Sequence, residues 1–255
     1  MKREYKLSSI VLVILIGAVV SFITSMLFEK IAGDSTIIKL IGTALTSFLA
    51  FFFQYALSAG LLRNRMGSVG EYLNQINTIN GRFILINIIM SLITMAFTTS
   101  IGFLGGNLVY NTMSTSEARS DNITTLVLMI LLFLVSVVLS LLITYTNFYL
   151  ADDNNSSKKE SIGTSIKHIF KIGKDLIGKT LKIYLKYTIL PLLIYGVLLI
   201  LTIIFIPNDG LGGIFLSSLL TVILVVYLLF AFAIVLARLS DAYIDYTEEK
   251  IAIED

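Results

Sequence analysis

The chain has 255 residues, of which 56% are hydrophobic and only 14% are charged. A soluble domain carries about 25% charged residues, so this chain lacks the polar surface that a soluble protein of its length needs. The same composition excludes a disordered chain, and the lack of cysteine excludes disulfides, thiolate metal sites and thiol nucleophiles. We therefore expect a polytopic membrane protein.

Six apolar stretches are long enough to cross about 30 Å of hydrocarbon as helices, which takes about 20 residues. They are predicted near residues 9–28, 37–62, 83–109, 123–150, 183–206 and 213–237. Lys2, Arg3 and Lys6 precede the first stretch, but its apolar run is too long for a signal peptide, so we predict an uncleaved helix. The predicted fold is all-α, with six transmembrane helices in a single membrane domain.

The distribution of Lys and Arg predicts the orientation, because cytoplasmic connections carry an excess of both residues. Of the 19 in the chain, 16 lie in the N-terminal segment, the second and fourth connections and the C-terminus, and 3 lie in the other connections. Both termini are therefore predicted to lie in the cytoplasm, with the Tyr110–Asn122 and Pro207–Gly212 loops outside the cell membrane.

The predicted spans lack ionisable groups at depth, since none of the 17 acidic residues falls within one. Proton relays and intramembrane aspartyl or zinc sites need such groups, so proton-coupled transport and intramembrane hydrolysis are disfavoured. The single histidine, His168, lies in a basic connection, and Glu248 and Glu249 are interpreted as solvated tail charges. We expect no enzymatic activity, no cofactor and no metal site.

Three predicted spans carry polar side chains at helical spacing, which places them on one face of each helix. These polar stripes comprise Gln54 in the second span, Asn87, Ser91, Thr94 and Thr98 in the third, and Ser136, Ser140, Thr144 and Asn147 in the fourth. Two interpretations stay open: helix packing through small polar groups, which we favour, and a polar cleft lined by the three helices. The three amides are the most informative members, because an amide in hydrocarbon must find hydrogen-bond partners.

Residues 160–182, between the fourth and fifth spans, have the periodicity of a basic amphipathic helix. An apolar arc that includes Ile169, Gly173 and Leu176 lies opposite four lysines. These are Lys167, Lys171, Lys174 and Lys182. Such a helix suits an anionic membrane surface or an acidic partner, and the alternative is a solvated linker.

A short pattern, S-[VI]-G-x-x-[LI]-x-x-I, occurs at residues 68–76 and again at 161–169. Each copy follows an outside-to-inside span and precedes an inside-to-outside one. The pattern indicates a parallel repeat, in which spans two and three correspond to spans four and five. The alternative is that a match of only nine residues arose by chance.

An acidic stretch, Tyr149-Leu-Ala-Asp-Asp153, precedes the basic segment from Ser161 to Gly173. A helix with a lysine near its start, Lys182–Leu193, comes next, and Gly60 follows the second span. With these features the chain resembles a broad group of poorly characterised bacterial membrane proteins, similar to the membrane domain attached to some glycerophosphoryl diester phosphodiesterases. Asn154-Asn155 replaces the proline usual in that group. The chain has no phosphodiesterase catalytic domain, so the resemblance implies an accessory membrane component and transfers no functional residues.

We expect a non-enzymatic accessory protein, with peptide or bacteriocin export, immunity and envelope maintenance as candidate processes. The alternative is a permease subunit that docks a separate ATPase through its cytoplasmic helices. The expected partners are the anionic inner leaflet and other membrane subunits or that ATPase, and nothing in the sequence indicates nucleic acid.

Overall fold

The computed structural model describes residues 3–33, 35–114, 119–152, 160–205 and 211–254, and these residues form helices without β-strands. The long helices are α1 (Leu7–Ala32), α2 (Thr36–Arg63), α4 (Gly81–Ser114), α5 (Arg119–Ile143), α7 (Ile162–Tyr184), α8 (Leu190–Phe205) and α9 (Leu211–Glu254). The short ones are α3 (Val69–Asn74) and α6 (Thr146–Ala151).

Within the described residues, six helical stretches are long and apolar enough to cross a membrane. They are Leu7–Ala32, Thr36–Arg63, Gly81–Asn107, Ile123–Ala151, Ile162–Leu201 and Ser218–Lys250. The prediction of an all-helical chain with six helices long and apolar enough to cross a membrane is confirmed for the described residues. The sequence features at Asp153, Asn154-Asn155, Pro207 and residues 115–118 of the third loop lie outside the described residues.

The fourth apolar stretch, Ile123–Ala151, covers the predicted residues 123–150 but is not one continuous helix. α5 ends at Ile143, and the chain turns at Thr144 and Tyr145 before α6 begins. The Thr146 hydroxyl donates to the Ile143 carbonyl over 2.6 Å and helps to hold this turn. The aromatic side chain of Phe148 in α6 is buried. Apolar residues lie on both sides of the polar segment from Thr144 to Asn147, so hydropathy averaged over a span-length window does not separate the end of α5 from a short helix packed inside the protein.

The last helix extends past its predicted end at residue 237. α9 has 44 residues, which span about 66 Å at 1.5 Å per residue and exceed the roughly 30 Å of the hydrocarbon layer. Beyond Ala237 its buried positions include the polar residues Ser240 and Asp241. In this less hydrophobic part of α9, these polar side chains make tertiary contacts.

The basic helix and the fifth span are joined by continuous helix. A π turn, Leu185–Ile189, links α7 to α8, and the Leu190 N–H donates to the Leu185 carbonyl five residues earlier. Pro191 has no N–H, so it cannot donate to the Tyr187 carbonyl four residues before it. The Tyr227 hydroxyl of α9 donates to that carbonyl over 2.8 Å. A proline and a π turn therefore mark the boundary that the sequence analysis places at residue 183.

The chain divides into two compact units. Unit 1 comprises Met1–Thr78, Asn147–Ser157 and Gly178–Asp255. Its buried core is rich in aromatic side chains, and the rings of Phe148 and Tyr243 stack with centroids 6.1 Å apart. A β-carbon at Gly60 would overlap the buried ring of Tyr72, so glycine lets α2 and α3 approach closely.

One end of unit 1 gathers chain segments that are distant in sequence. The Lys6 N–H donates to the Arg65 carbonyl over 3.0 Å, which joins the start of α1 to the connection after α2. The buried Ser240 hydroxyl donates to the Leu61 carbonyl over 3.4 Å, which brings α9 to the last turns of α2. The start of α1, the end of α2 and the second half of α9 therefore share one end of the unit.

Unit 2 comprises Ile79–Thr146 and Lys158–Ile177. α4 and α5 pack along each other, and the first turns of α7 belong to the same unit. Large apolar side chains of α5 between Ile123 and Val138 are mostly exposed. Such a surface suits contact with lipid chains rather than with water.

Candidate interaction surface on the basic helix

The start of α7 is built on the serine of the second copy of the repeated pattern. The Ser161 hydroxyl accepts the Thr164 N–H over 3.2 Å, as an N-cap residue does. The first copy does the same, since the Ser68 hydroxyl accepts the Glu71 N–H over 3.4 Å at the start of α3. The two copies agree in local structure, so each serine of the pattern begins a helix.

An ion-pair cluster fixes the first turn of α7 to the start of α4. The Arg82 guanidinium donates through Nε to the fully buried Ser165 hydroxyl over 3.0 Å and also contacts it through Nη2. Arg82 Nη2 lies 3.3 Å from Glu160 Oε2. Glu160 Oε2 is in turn 3.6 Å from His168 Nδ1, and the His168 side chain is 44% exposed. The histidine therefore lies on the polar side of α7, within reach of a carboxylate.

The middle of α7 crosses the carbonyl end of α5. A β-carbon at Gly173 would overlap the backbone carbonyl of Leu142, next to the last residue of α5. Backbone atoms cannot swing aside as a flexible side chain can, so only glycine permits this approach. Because helix carbonyls point towards the C-terminus, the segment of α7 around Gly173 lies across the end of α5.

The two faces of α7 differ in both chemistry and burial. The buried face contains Ser165, Ile169, Ile172, Gly173, Leu176 and Thr180. The opposite face, which we call the lysine face, contains the exposed residues Lys167, Lys171, Lys174 and Lys182. The centre of the apolar arc thus packs within the protein, and the four predicted lysines remain accessible.

The hydroxyl groups of the polar stripes are satisfied mainly within their own helices. In α4, Thr94 donates to the Met90 and Ser91 carbonyls, and Thr98 donates to the Thr94 carbonyl. In α5, the Ser140 hydroxyl donates to the Ser136 carbonyl over 2.9 Å, and the Thr144 hydroxyl donates to the Ser140 carbonyl over 2.7 Å. Bonds of this kind let a hydroxyl face lipid, so these groups require neither a cleft nor a neighbouring helix.

The three amides have different surroundings. Asn87 is buried, and its Nδ2 donates to the Phe83 carbonyl of its own helix over 3.0 Å. Asn147 Oδ1 is buried and lacks a hydrogen-bond partner among the described residues, whereas Gln54 is exposed. Asn87 belongs to unit 2, and the other two belong to unit 1. Whether the stripes form a cleft or pack helices stays a prediction.

The sequence analysis missed an ionic network in unit 1. Arg65 Nη2 lies 2.6 Å from Asp241 Oδ1, with both side chains only 13% exposed. Arg3 pairs with Asp245 and also with Glu248, whose Oε2 is 2.7 Å from Arg3 Nη2. Glu248 forms this ion pair with its side chain 65% exposed, so it is both ion-paired and accessible to solvent. The signal was present in the sequence as an arginine before the first span and acids after the last, but spacing alone cannot pair them.

The hydroxyl of Tyr72 reinforces the same end of unit 1. It donates to the Arg65 carbonyl over 3.1 Å. Burial raises the pKa of Tyr72 to about 12, so the phenol keeps its proton and remains a donor at physiological pH. Nearby, the Tyr243 hydroxyl donates to Asp152 Oδ2 over 3.0 Å. These bonds help to hold the connections in place.

The groove between α4 and α5 carries little chemistry. An open apolar groove of about 790 Å³ lies between α4 and α5, lined by residues such as Met95, Phe103 and Leu128. Its polar lining consists of Thr99 and Ser100, without an ionisable group. In the part of the chain that the structure describes, no three His, Cys, Asp or Glu side chains cluster in a way that could hold a metal ion.

No protein-family model, no curated protein and no solved structure matches this chain. Function is therefore inferred from the geometry of α7 and from the distribution of charge.

Proposed function

We propose that this protein is a non-enzymatic accessory subunit of the cell membrane that docks a cytosolic partner through the lysine face of α7. The observation that carries the proposal is the asymmetry of this helix. Its buried face is fixed by Arg82 at one point and by the end of α5 at another, and its lysines stay exposed. Peptide or bacteriocin export, immunity and envelope maintenance are the processes in which such a subunit would act.

The orientation that places α7 in the cytoplasm is supported by charge and by contacts. The positive-inside rule assigns the side with 16 of the 19 Lys and Arg residues to the cytoplasm. In unit 1, the start of α1, the end of α2 and the second half of α9 meet at one end, as this orientation requires. In unit 2, the start of α4 and the end of α5 both contact α7, which satisfies the same requirement.

Cysteine accessibility tests the orientation, since the natural chain has no cysteine. A cysteine at Asn111 or Asn208 should react with a membrane-impermeant maleimide in intact cells. A cysteine at Asn64 or Ser157 should react only after the cells are opened. Labelling of the second pair in intact cells would reverse the orientation and remove α7 from the cytoplasm.

In-cell photocrosslinking tests the docking role. A photoreactive amino acid at Lys171 or Lys174 should crosslink one and the same cytosolic protein, identified by mass spectrometry. The matched control is Lys39, which is also exposed but lies at the start of α2, on the predicted outer side. Crosslinks to lipid alone, or an identical set of proteins at all three positions, would contradict a docking role for α7.

A permease subunit that docks a separate ATPase is the second candidate. It is favoured by the repeated pattern, because Ser68 and Ser161 each begin a helix between two spans. Two such helices would provide two equivalent contacts for a dimeric ATPase. Crosslinking to one ATPase from positions on both α3 and α7 would establish this candidate, whereas crosslinking from α7 alone would favour the accessory subunit.

A further inference from the structure

A basic helix suits either an anionic membrane surface or an acidic protein partner. The direction of the lysine face distinguishes between these two. The buried face of α7 points towards α4 and α5, because Ser165 meets the start of α4 and Gly173 meets the end of α5. At 100° per residue, Lys167, Lys171 and Lys174 lie on the opposite side of the helix. They therefore point away from the ends of α4 and α5.

Binding flat to a membrane surface requires apolar side chains at the headgroup boundary, under the basic ones. In α7 the apolar side chains of Ile169, Ile172 and Leu176 are buried within the protein. The lysine face is separated from the span ends by the body of the helix, about 10 Å across. This distance exceeds the Debye length of about 8 Å at physiological ionic strength, so attraction to lipid headgroups is screened.

The lysine face has the shape of a docking strip. From Lys167 to Lys182 it extends over about 22 Å at 1.5 Å per residue. Gly178 lies on the same face, exposed, and a β-carbon there would meet nothing within 4 Å. The strip is therefore flat between Lys174 and Lys182, where another backbone can approach. Asp175 is an exposed acidic residue on this helix, beside the strip.

We infer that the lysine face binds an acidic helix of a soluble partner, with carboxylates repeated every three or four residues over about four turns. This inference rests on the proposed function and specifies the chemistry of its partner. Charge complementarity along parallel strips fixes register and favours rapid encounter, even though each exposed pair is weak. Arg82 holds Glu160 at the start of α7, which keeps that carboxylate from competing for the lysines.

A binding experiment with a defined probe tests the inference. The full-length protein is placed in nanodiscs of phosphatidylcholine, and the probe is a labelled helical peptide with Glu at every third or fourth position, compared with its Gln counterpart. The Glu peptide should bind and the Gln peptide should not. The double variant Lys171→Glu, Lys174→Glu should weaken binding about tenfold, and added salt should weaken it further. The control Lys30→Glu, at an exposed lysine in the last turn of α1, should leave binding unchanged.

A second measurement separates a protein partner from lipid. Acetylation of Lys171 and Lys174 by a water-soluble ester should proceed equally in nanodiscs of phosphatidylcholine and of phosphatidylglycerol. Protection by phosphatidylglycerol would show that headgroups occupy the lysine face and would overturn the inference, as would Glu-peptide binding that survives the charge reversal. If in-cell crosslinking at Lys171 identifies a partner without an acidic helix, the inference fails and the docking role stands. If crosslinking finds no protein, both fail.

Discussion

The hydroxyl of Tyr227 supplies a hydrogen bond that the backbone of the fifth span cannot make. Pro191 leaves the Tyr187 carbonyl without its usual helical donor, and the Tyr227 hydroxyl reaches that carbonyl over 2.8 Å from α9. Replacing Tyr227 with Phe keeps the ring and removes the donor. Within a membrane, an interhelical hydrogen bond contributes about 0.6 kcal/mol on average and up to about 1.7 kcal/mol. Because a carbonyl left without its donor adds to the loss, we expect Tyr227→Phe to destabilise the protein by about 1 kcal/mol.

The size of this effect should depend on Pro191. In a Pro191→Ala variant, residue 191 regains an N–H that can donate to the Tyr187 carbonyl, so removal of the Tyr227 hydroxyl should cost less than half as much. Tyr195 provides a matched control, since its hydroxyl also links α8 to α9 but lies 3.5 Å from Thr221 Oγ1, at the limit of a hydrogen bond. Tyr195→Phe should change stability by less than about 0.5 kcal/mol.

The assay is unfolding in mixed micelles with increasing sodium dodecyl sulfate, followed by circular dichroism. The four members of the Tyr227 and Pro191 double-mutant cycle are compared under one condition, which isolates the coupling between the two sites. If Tyr227→Phe has the same effect with proline and with alanine at residue 191, the hydroxyl does not compensate for the missing N–H. Destabilisation by Tyr195→Phe as large as that by Tyr227→Phe would likewise refute the reasoning.

Two other substitutions test local features of the fold. Gly173→Ala should lower thermal stability because the Leu142 carbonyl must move, whereas Gly178→Ala, with open space around it, should raise stability by about 1 kcal/mol through helix propensity; equal effects in one detergent would contradict the close approach to α5. At the start of α3, the Ser68 backbone N–H and then its hydroxyl hold the pKa of Glu71 below its ordinary value. The stabilisation is therefore present above the unfolded pKa of about 4.3 and is lost as the pH falls through the lower folded pKa. The difference in melting temperature between the parent and Glu71→Ala should shrink on acidification from pH 7 to about pH 3, and a difference independent of pH would exclude the charged cap.

The six helices could be predicted from the sequence because a membrane span needs only length and hydrophobicity. Their ends could not, and two cases show the reason. The turn at Thr144 and Tyr145 is flanked by apolar residues, so hydropathy averaged over the whole stretch does not reveal it, and Phe148 beyond the turn is buried. α9 continues past Ala237 alongside polar contacts such as that of Asp241 with Arg65, which is 176 positions away. Local composition carries no information about such a partner.

The lysine face could be predicted from periodicity, since helix geometry fixes which residues share a side. What covers the opposite face could not be predicted. An apolar arc suits lipid and protein equally well, and the choice depends on Gly173, whose missing side chain lets α7 meet the Leu142 carbonyl. A glycine inside a helical pattern usually lowers confidence in a helix. Here it marks a close approach between helices, which becomes apparent only when the neighbouring backbone is known.

The polar contacts of unit 1 lie at one end of the unit, whereas its exposed apolar side chains lie along the long helices. Ion pairs join the N-terminal segment to α9 through Arg3 and Asp245, and the connection after α2 to α9 through Arg65 and Asp241. The Arg65–Asp241 pair is largely buried, and a buried pair adds little net stability but is costly to break, so it favours one arrangement of the helices over others. Among the spans, by contrast, apolar side chains such as Phe22 face outwards, where lipid or another subunit can cover them. Unit 1 thus has its ion pairs at one end, and its exposed apolar side chains lie along the helices that are apolar enough to cross a membrane.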